Sequence, residues 1–157
     1  MYKPRFKILK KNFSDRFTCL GSQLITIIHF LQEILGPHVW YVGNIEANNE
    51  TSYGNRFDSF SIEKLGSDSS LIQLCSETDQ FLSGVFIAVN VEYAEQEIKD
   101  IELGTEDEEF RPLNMRGVLI EIRAFDTFYF EIYSENEKII RELGKKLDLD
   151  EMKVLTP

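Results

Sequence analysis

Four acids stand in a row at Glu106, Asp107, Glu108 and Glu109, between Gly104-Thr105 and Phe110-Arg111-Pro112. Carboxylates ligate hard cations and dock basic surfaces, so chemistry is sought here first. A divalent-ion site needs carboxylates that converge on one point, and no Asp-x-Asp-x-Asp-Gly loop occurs. Adjacent like charges beside a glycine repel and favour solvation. The run is therefore expected to be a solvated loop first and a docking edge for a basic partner second. It is not assigned as a metal site.

Metal-dependent nucleases place an acid ahead of a strand carrying Glu-x-Lys, and Asp107 with Glu121-Ile122-Arg123 imitates that order. Arginine keeps its proton and is a poor base, so the imitation is weak. Glu121 and Arg123 are expected to be a solvent-facing pair on an antiparallel sheet. A metal-dependent hydrolase using carboxylates among residues 92–121 is kept as the enzyme alternative. Nucleophilic catalysis would have to use one of two histidines, and no Gly-x-Ser-x-Gly elbow is present. His29, between Ile28 and Phe30, is expected to be a packed or half-exposed helical residue; His38 is expected to be exposed near Trp40 and Tyr41. The spacings of Cys19 and Cys75 to these histidines carry no zinc signal. Phosphate cradles of either glycine-rich pattern are absent, so no catalytic residue and no cofactor are assigned. Trp40 and Tyr41 form a candidate contact patch, with alternation putting one in the core and the other on the opposite face.

The net charge is −10 over 157 residues, and it is unevenly placed. Residues 1–16 hold six Lys and Arg against Asp15, a net of +5. Residues 92–109 hold nine acids against Lys99, a net of −8. An acidic surface repels nucleic acid and anionic membranes and attracts basic proteins. Neither nucleic acid nor membrane is therefore an expected partner; a basic, toxin-like protein is. A 43% hydrophobic fraction with twelve Phe suits a packed core. Two cysteines without a Cys-x-x-Cys, no long apolar run and no signal segment point to the cytoplasm, with both thiols reduced.

The elements that must position these residues follow from periodicity. Alternation predicts a strand over residues 5–10, and helical spacing of Leu24, Ile27, Ile28, Leu31, Ile34 and Leu35 predicts a helix over 20–35 stopped by Gly36-Pro37. A strand over 38–47, a turn-rich loop over 48–55 and a short strand over 57–62 come next. A helix over 68–77 is capped by Ser67 or Asp68. Residues 84–91 read as a strand buried on both faces, and 92–103 fit neither period. Residues 117–125 and 127–133 form a hairpin around Asp126. Val118, Ile120 and Ile122 share its core face with Phe128, Phe130 and Ile132. Ser134 and Glu137 fit a capping box for a helix burying Ile139, Ile140, Leu143 and Leu147. The fold class expected is α+β: a single domain over residues 1–157, its antiparallel or mixed sheet carrying helices on one face.

The stretch RGVLIEIRAFDTFYFEIYSENEKIIRELGKKL, residues 116–147, resembles the endings of small acidic bacterial proteins of immunity or uncharacterised type. It covers about a fifth of the chain. The resemblance implies a cytoplasmic α+β domain that binds and blocks a toxin, and it carries no functional residue across. Non-catalytic protein binding is therefore the expected function. A structural or regulatory oligomer subunit, joined through the aromatic residues, is the remaining alternative.

Overall fold

The computed structural model describes residues 5–8, 17–90, 117–134 and 136–147. Among them, six strands form one antiparallel sheet: β1 (Arg5–Ile8), β2 (Val39–Ala47), β3 (Glu63–Ser67), β4 (Phe81–Val89), β5 (Val118–Phe125) and β6 (Tyr129–Tyr133). Their order across the sheet is β1-β6-β5-β4-β2-β3, with every neighbouring pair antiparallel. The described residues also form three helices: α1 (Gly21–Leu35), α2 (Asp68–Ser76) and α3 (Glu137–Lys146). The class is α+β, and the sheet is antiparallel rather than mixed.

Side chains from all three helices join one core cluster with Trp40, Val42, Phe86, Ile120, Ile122, Phe130 and Ile132 from one face of the sheet. The apolar stripe of α1 buries Leu24, Ile27, Ile28 and Leu31, as its spacing predicts. Gly36 ends that helix at φ +79, where a side chain would be strained, and its N–H donates to Gln32 O at 2.9 Å. At the other end Gly21 meets α2 closely. A Cβ on Gly21 would lie 2.1 Å from Cys75 O and 2.2 Å from Thr78 O, so only glycine fits.

The opposite face holds a second, all-strand cluster of Tyr41, Val85, Ile87, Val89, Val118 and Tyr133 with Ile62 beside it. Residues 84–89 are buried throughout, so β4 is dry on both faces as expected, although it begins at Phe81. A register shift opposite Ala88 and Val89 moves Val118 to this second cluster, away from Ile120 and Ile122.

Other expectations need correction. Residues 57–62 form no continuous strand, although Asn44 and Ile45 N–H donate to Ser59 O and Phe57 O and Ser61 is a bridge residue; the strand is β3, whose Glu-Lys-Leu-Gly-Ser lacks any β-branched residue. The β5–β6 turn is longer than expected, three residues (126–128) instead of Asp126 alone. Asp126 and Thr127 both take positive φ, +46 and +65, and Phe128 N–H closes the turn on Phe125 O at 2.8 Å. Phe128 thus stands in the turn, 67% exposed, instead of continuing the core face of Phe130. The cap of α3 is Asn136, whose Oδ1 accepts from the N–H groups of Lys138 and Ile139. Ser134 instead donates to Leu119 O at 2.8 Å and accepts from Asn136 N–H at 3.1 Å.

Two substitutions test these assignments in thermal or denaturant unfolding. Phe130→Ala, which empties a fully buried position, is expected to cost about 3–5 kcal/mol. Asn136→Ala is expected to cost about 1 kcal/mol by uncapping α3. An unchanged midpoint for Phe130→Ala overturns the face assignment.

Candidate functional site

Glu106, Asp107, Glu108 and Glu109 lie outside the described residues. Their chain position is still bounded. Val89 pairs with Val118, and Asn90 N–H donates to Gly117 O at 3.1 Å. The acidic stretch 91–116 is therefore rooted at both ends in one place, where β4 ends and β5 begins.

Trp40 and Tyr41 do not form a contact patch. Both are buried, on opposite faces of β2, one in each cluster. The alternation was legible; the burial of the second face was not. Glu121 and Arg123 correct the same error. They face away from the helices but are dry, with Arg123 Nε donating to Glu121 Oε1 at 2.7 Å. Arg123 stands opposite Glu131 in the β5–β6 register, and Glu121 opposite Tyr133. The Tyr133 hydroxyl donates to Glu131 Oε2, and the Arg123 guanidinium lies 5.9 Å from the Tyr133 ring. A carboxylate committed to a buried guanidinium is a poor metal ligand, which weakens the nuclease-like reading of this strand. Among the described residues no three His, Cys, Asp or Glu side chains converge on a metal position.

The histidines part company. His29 is exposed on α1, its Nδ1 3.2 Å from Gln32 Oε1. His38 is buried, contrary to expectation, with Nδ1 3.7 Å from Asp68 Oδ1. Asp68, at the start of α2, does not cap that helix. Its carboxylate accepts from His38 N–H at 3.2 Å and from Trp40 Nε1 at 2.6 Å, tying α2 to β2. Burial holds the His38 imidazole below its usual value of 6.5, against the pull of Asp68. Both thiols are buried; desolvation pushes Cys19 up to about 12 and raises Cys75, so neither is an activated nucleophile.

One concave feature lies elsewhere, where no motif pointed. Residues 48–62 form a fifteen-residue loop without a helix or strand. Asn49 Nδ2 donates to Glu77 O at 2.9 Å, Asp79 N–H donates to Asn49 Oδ1 at 3.0 Å, and Tyr53 and Thr78 hydroxyls share a 2.6 Å hydrogen bond. Between this loop and α2 opens a cavity of about 200 Å³, with Tyr53, Phe57, Leu65 and Leu74 as its apolar lining and Arg56 and Glu77 among its polar residues. Arg56 is held by Glu63 at 3.0 Å and by the Phe57 ring at 4.8 Å. Burial raises the Tyr53 phenol, its bond to Thr78 opposes the rise, and the Glu77 charge adds to it. Turn residues marked the first part of this loop, 48–55, in the sequence, but nothing there marked the cavity.

No family model matches the chain, and neither a curated protein nor a solved structure matches it.

Two measurements test the buried polar groups. Arg123→Met is expected to cost about 3–5 kcal/mol by stranding buried carboxylate, and the joint Glu121→Leu, Arg123→Met change is expected to cost less than the two singles added. For His38 the unfolded chain takes up a proton at a pH where the folded chain does not. Stability is thus full above about pH 6.5 and falls as pH drops through the lower folded-state value. His38→Gln should flatten that part of the stability profile; an unaltered profile removes His38 from it.

Proposed function

We propose that this chain is a non-catalytic protein-binding domain that neutralises a basic bacterial toxin by occupying its cationic surface. The observation that carries the reading is the placement of charge. Nine of the acids lie in residues 92–109, inside a stretch whose two ends are fastened to the centre of a rigid sheet by the Asn90–Gly117 hydrogen bond. Carboxylates concentrated there raise the local concentration of a cationic partner and speed its approach. The likeness of residues 116–147 to immunity-type proteins points the same way. In this reading Glu106, Asp107, Glu108 and Glu109 carry the encounter, and the buried Trp40 and Tyr41 serve the core.

The partner to test is the polypeptide encoded beside this chain's gene. Replacing Glu106, Asp107, Glu108 and Glu109 by Gln or Asn is expected to slow association about tenfold at low salt, with the difference closing as salt rises. The melting temperature should hold or rise slightly, since solvated like charges repel. An association rate indifferent to these four residues at low salt sinks the reading. Millimolar Mg²⁺, Mn²⁺ or Ca²⁺ is expected to move the melting temperature no more than matched ionic strength does, and a saturable, metal-specific rise would count for the hydrolase alternative.

A further inference from the structure

The loop–α2 cavity is used by nothing described so far. A fifteen-residue connection free of regular structure is long for a compact domain, and such loops are commonly functional when they are ordered. This one is fastened at Asn49, at Tyr53 and by Ile45 N–H, which donates to Phe57 O at 2.7 Å. Its cavity, at about 200 Å³, is below the usual range of about 300–1,000 Å³ for small-molecule pockets. A dry apolar cavity of about 150 Å³ is enough for benzene. The space therefore suits one apolar side chain.

Charge narrows the occupant further. Residues 46–79 hold seven acids against Arg56 and Lys64, a net of −5. Arg56 is already compensated by Glu63, whereas the half-buried Glu77 carboxylate has no ion-pair partner among the described residues. We propose that the cleft between residues 53–57 and α2 is an anchor pocket for a single aromatic or long aliphatic side chain, presented by a basic segment of a partner protein. The side chain packs on Tyr53, Phe57, Leu65 and Leu74, and a neighbouring Lys or Arg of the same segment meets Glu77. Interface energy concentrates in such filled, desolvated pockets. The proposal rests on the protein-binding reading above but on different residues from the acidic stretch.

The test is an amide-resolved NMR titration of the full chain with two capped peptides, acetyl-Lys-Phe-Lys-amide and acetyl-Lys-Ser-Lys-amide. A single anchored ring gives weak, roughly millimolar affinity. The Phe peptide is expected to shift the amides of residues 53–57, 65 and 70–77 saturably, and the Ser peptide to leave them in place. Gln73→Trp, on the exposed side of α2 at the cavity, should abolish the response while the rest of the spectrum keeps its dispersion. Glu77→Gln should weaken the Phe peptide about threefold and remove the salt dependence of its binding. Equal responses to both peptides, shifts centred elsewhere, or a response that survives Gln73→Trp overturns the pocket. A salt-dependent affinity untouched by Glu77→Gln overturns the basic-segment assignment. The chain substituted at Glu106, Asp107, Glu108 and Glu109 should keep its peptide response. Loss of the pocket response with partner association intact therefore removes this proposal alone.

Discussion

β4 from Gly84 to Val89 and β5 from Ile120 to Ala124 are dry on both faces, and this constraint governs most of what surrounds them. A strand with two buried faces cannot leave a polar side chain to water, so any charge it carries must bring its counter-charge along. Glu121 and Arg123 meet that condition within one strand, at i and i+2 on the same face. On the neighbouring strand Glu131 accepts from the Tyr133 hydroxyl and stands opposite Arg123 in the register. Buried pairs of this kind add little net stability over well-packed apolar residues, but losing one member is costly. They also fix register, because a slip by one residue would send each charge to the helix-covered face.

The same logic applies where the sheet meets α2. Asp68 sits at the helix start, where a carboxylate is electrostatically welcome, yet its oxygens are turned toward β2. One side chain thus joins a helix terminus, a strand backbone and the indole of Trp40. Gly21 allows α1 to approach the far end of α2 almost backbone to backbone. Together these contacts make α2 a fixed wall, against which the loop 48–62 can hold an open cavity.

Much of the fold was legible because its signals are local. The helical stripe of α1, the Gly36-Pro37 stop, the β5–β6 hairpin and the buried α3 positions Ile139, Leu143 and Leu147 all follow from spacing. What escaped depends on partners distant in sequence. The alternation of Glu121 and Arg123 with Ile120 and Ile122 is the same whether the outer face is wet or dry. Periodicity alone could not tell the two apart. His38 looked exposed because Gly36-Pro37 precedes it; it is buried beside Trp40 and Asp68, the latter thirty residues on. β3 escaped because pairing with β2, not its own composition, makes it a strand. The cavity escaped for a related reason: its lining comes from a loop, a strand edge and a helix that no motif connects.

The two proposed binding features would act on different rate constants. Charge in residues 92–109 works over about a Debye length, roughly 8 Å at physiological salt, and so biases encounter before any contact exists. A pocket holding one side chain has no reach beyond contact and can only slow departure. Their roots lie at opposite ends of β4: the acidic stretch leaves after Val89, whereas Asn48 and Asn49 tie the loop and Glu77 to the start of that nine-residue strand, about 30 Å away. An extended segment of about nine residues spans that distance. Steering and anchoring therefore serve one partner when its basic segment is at least that long, with the acidic stretch drawing it to one end of the sheet and the cavity retaining it toward the other.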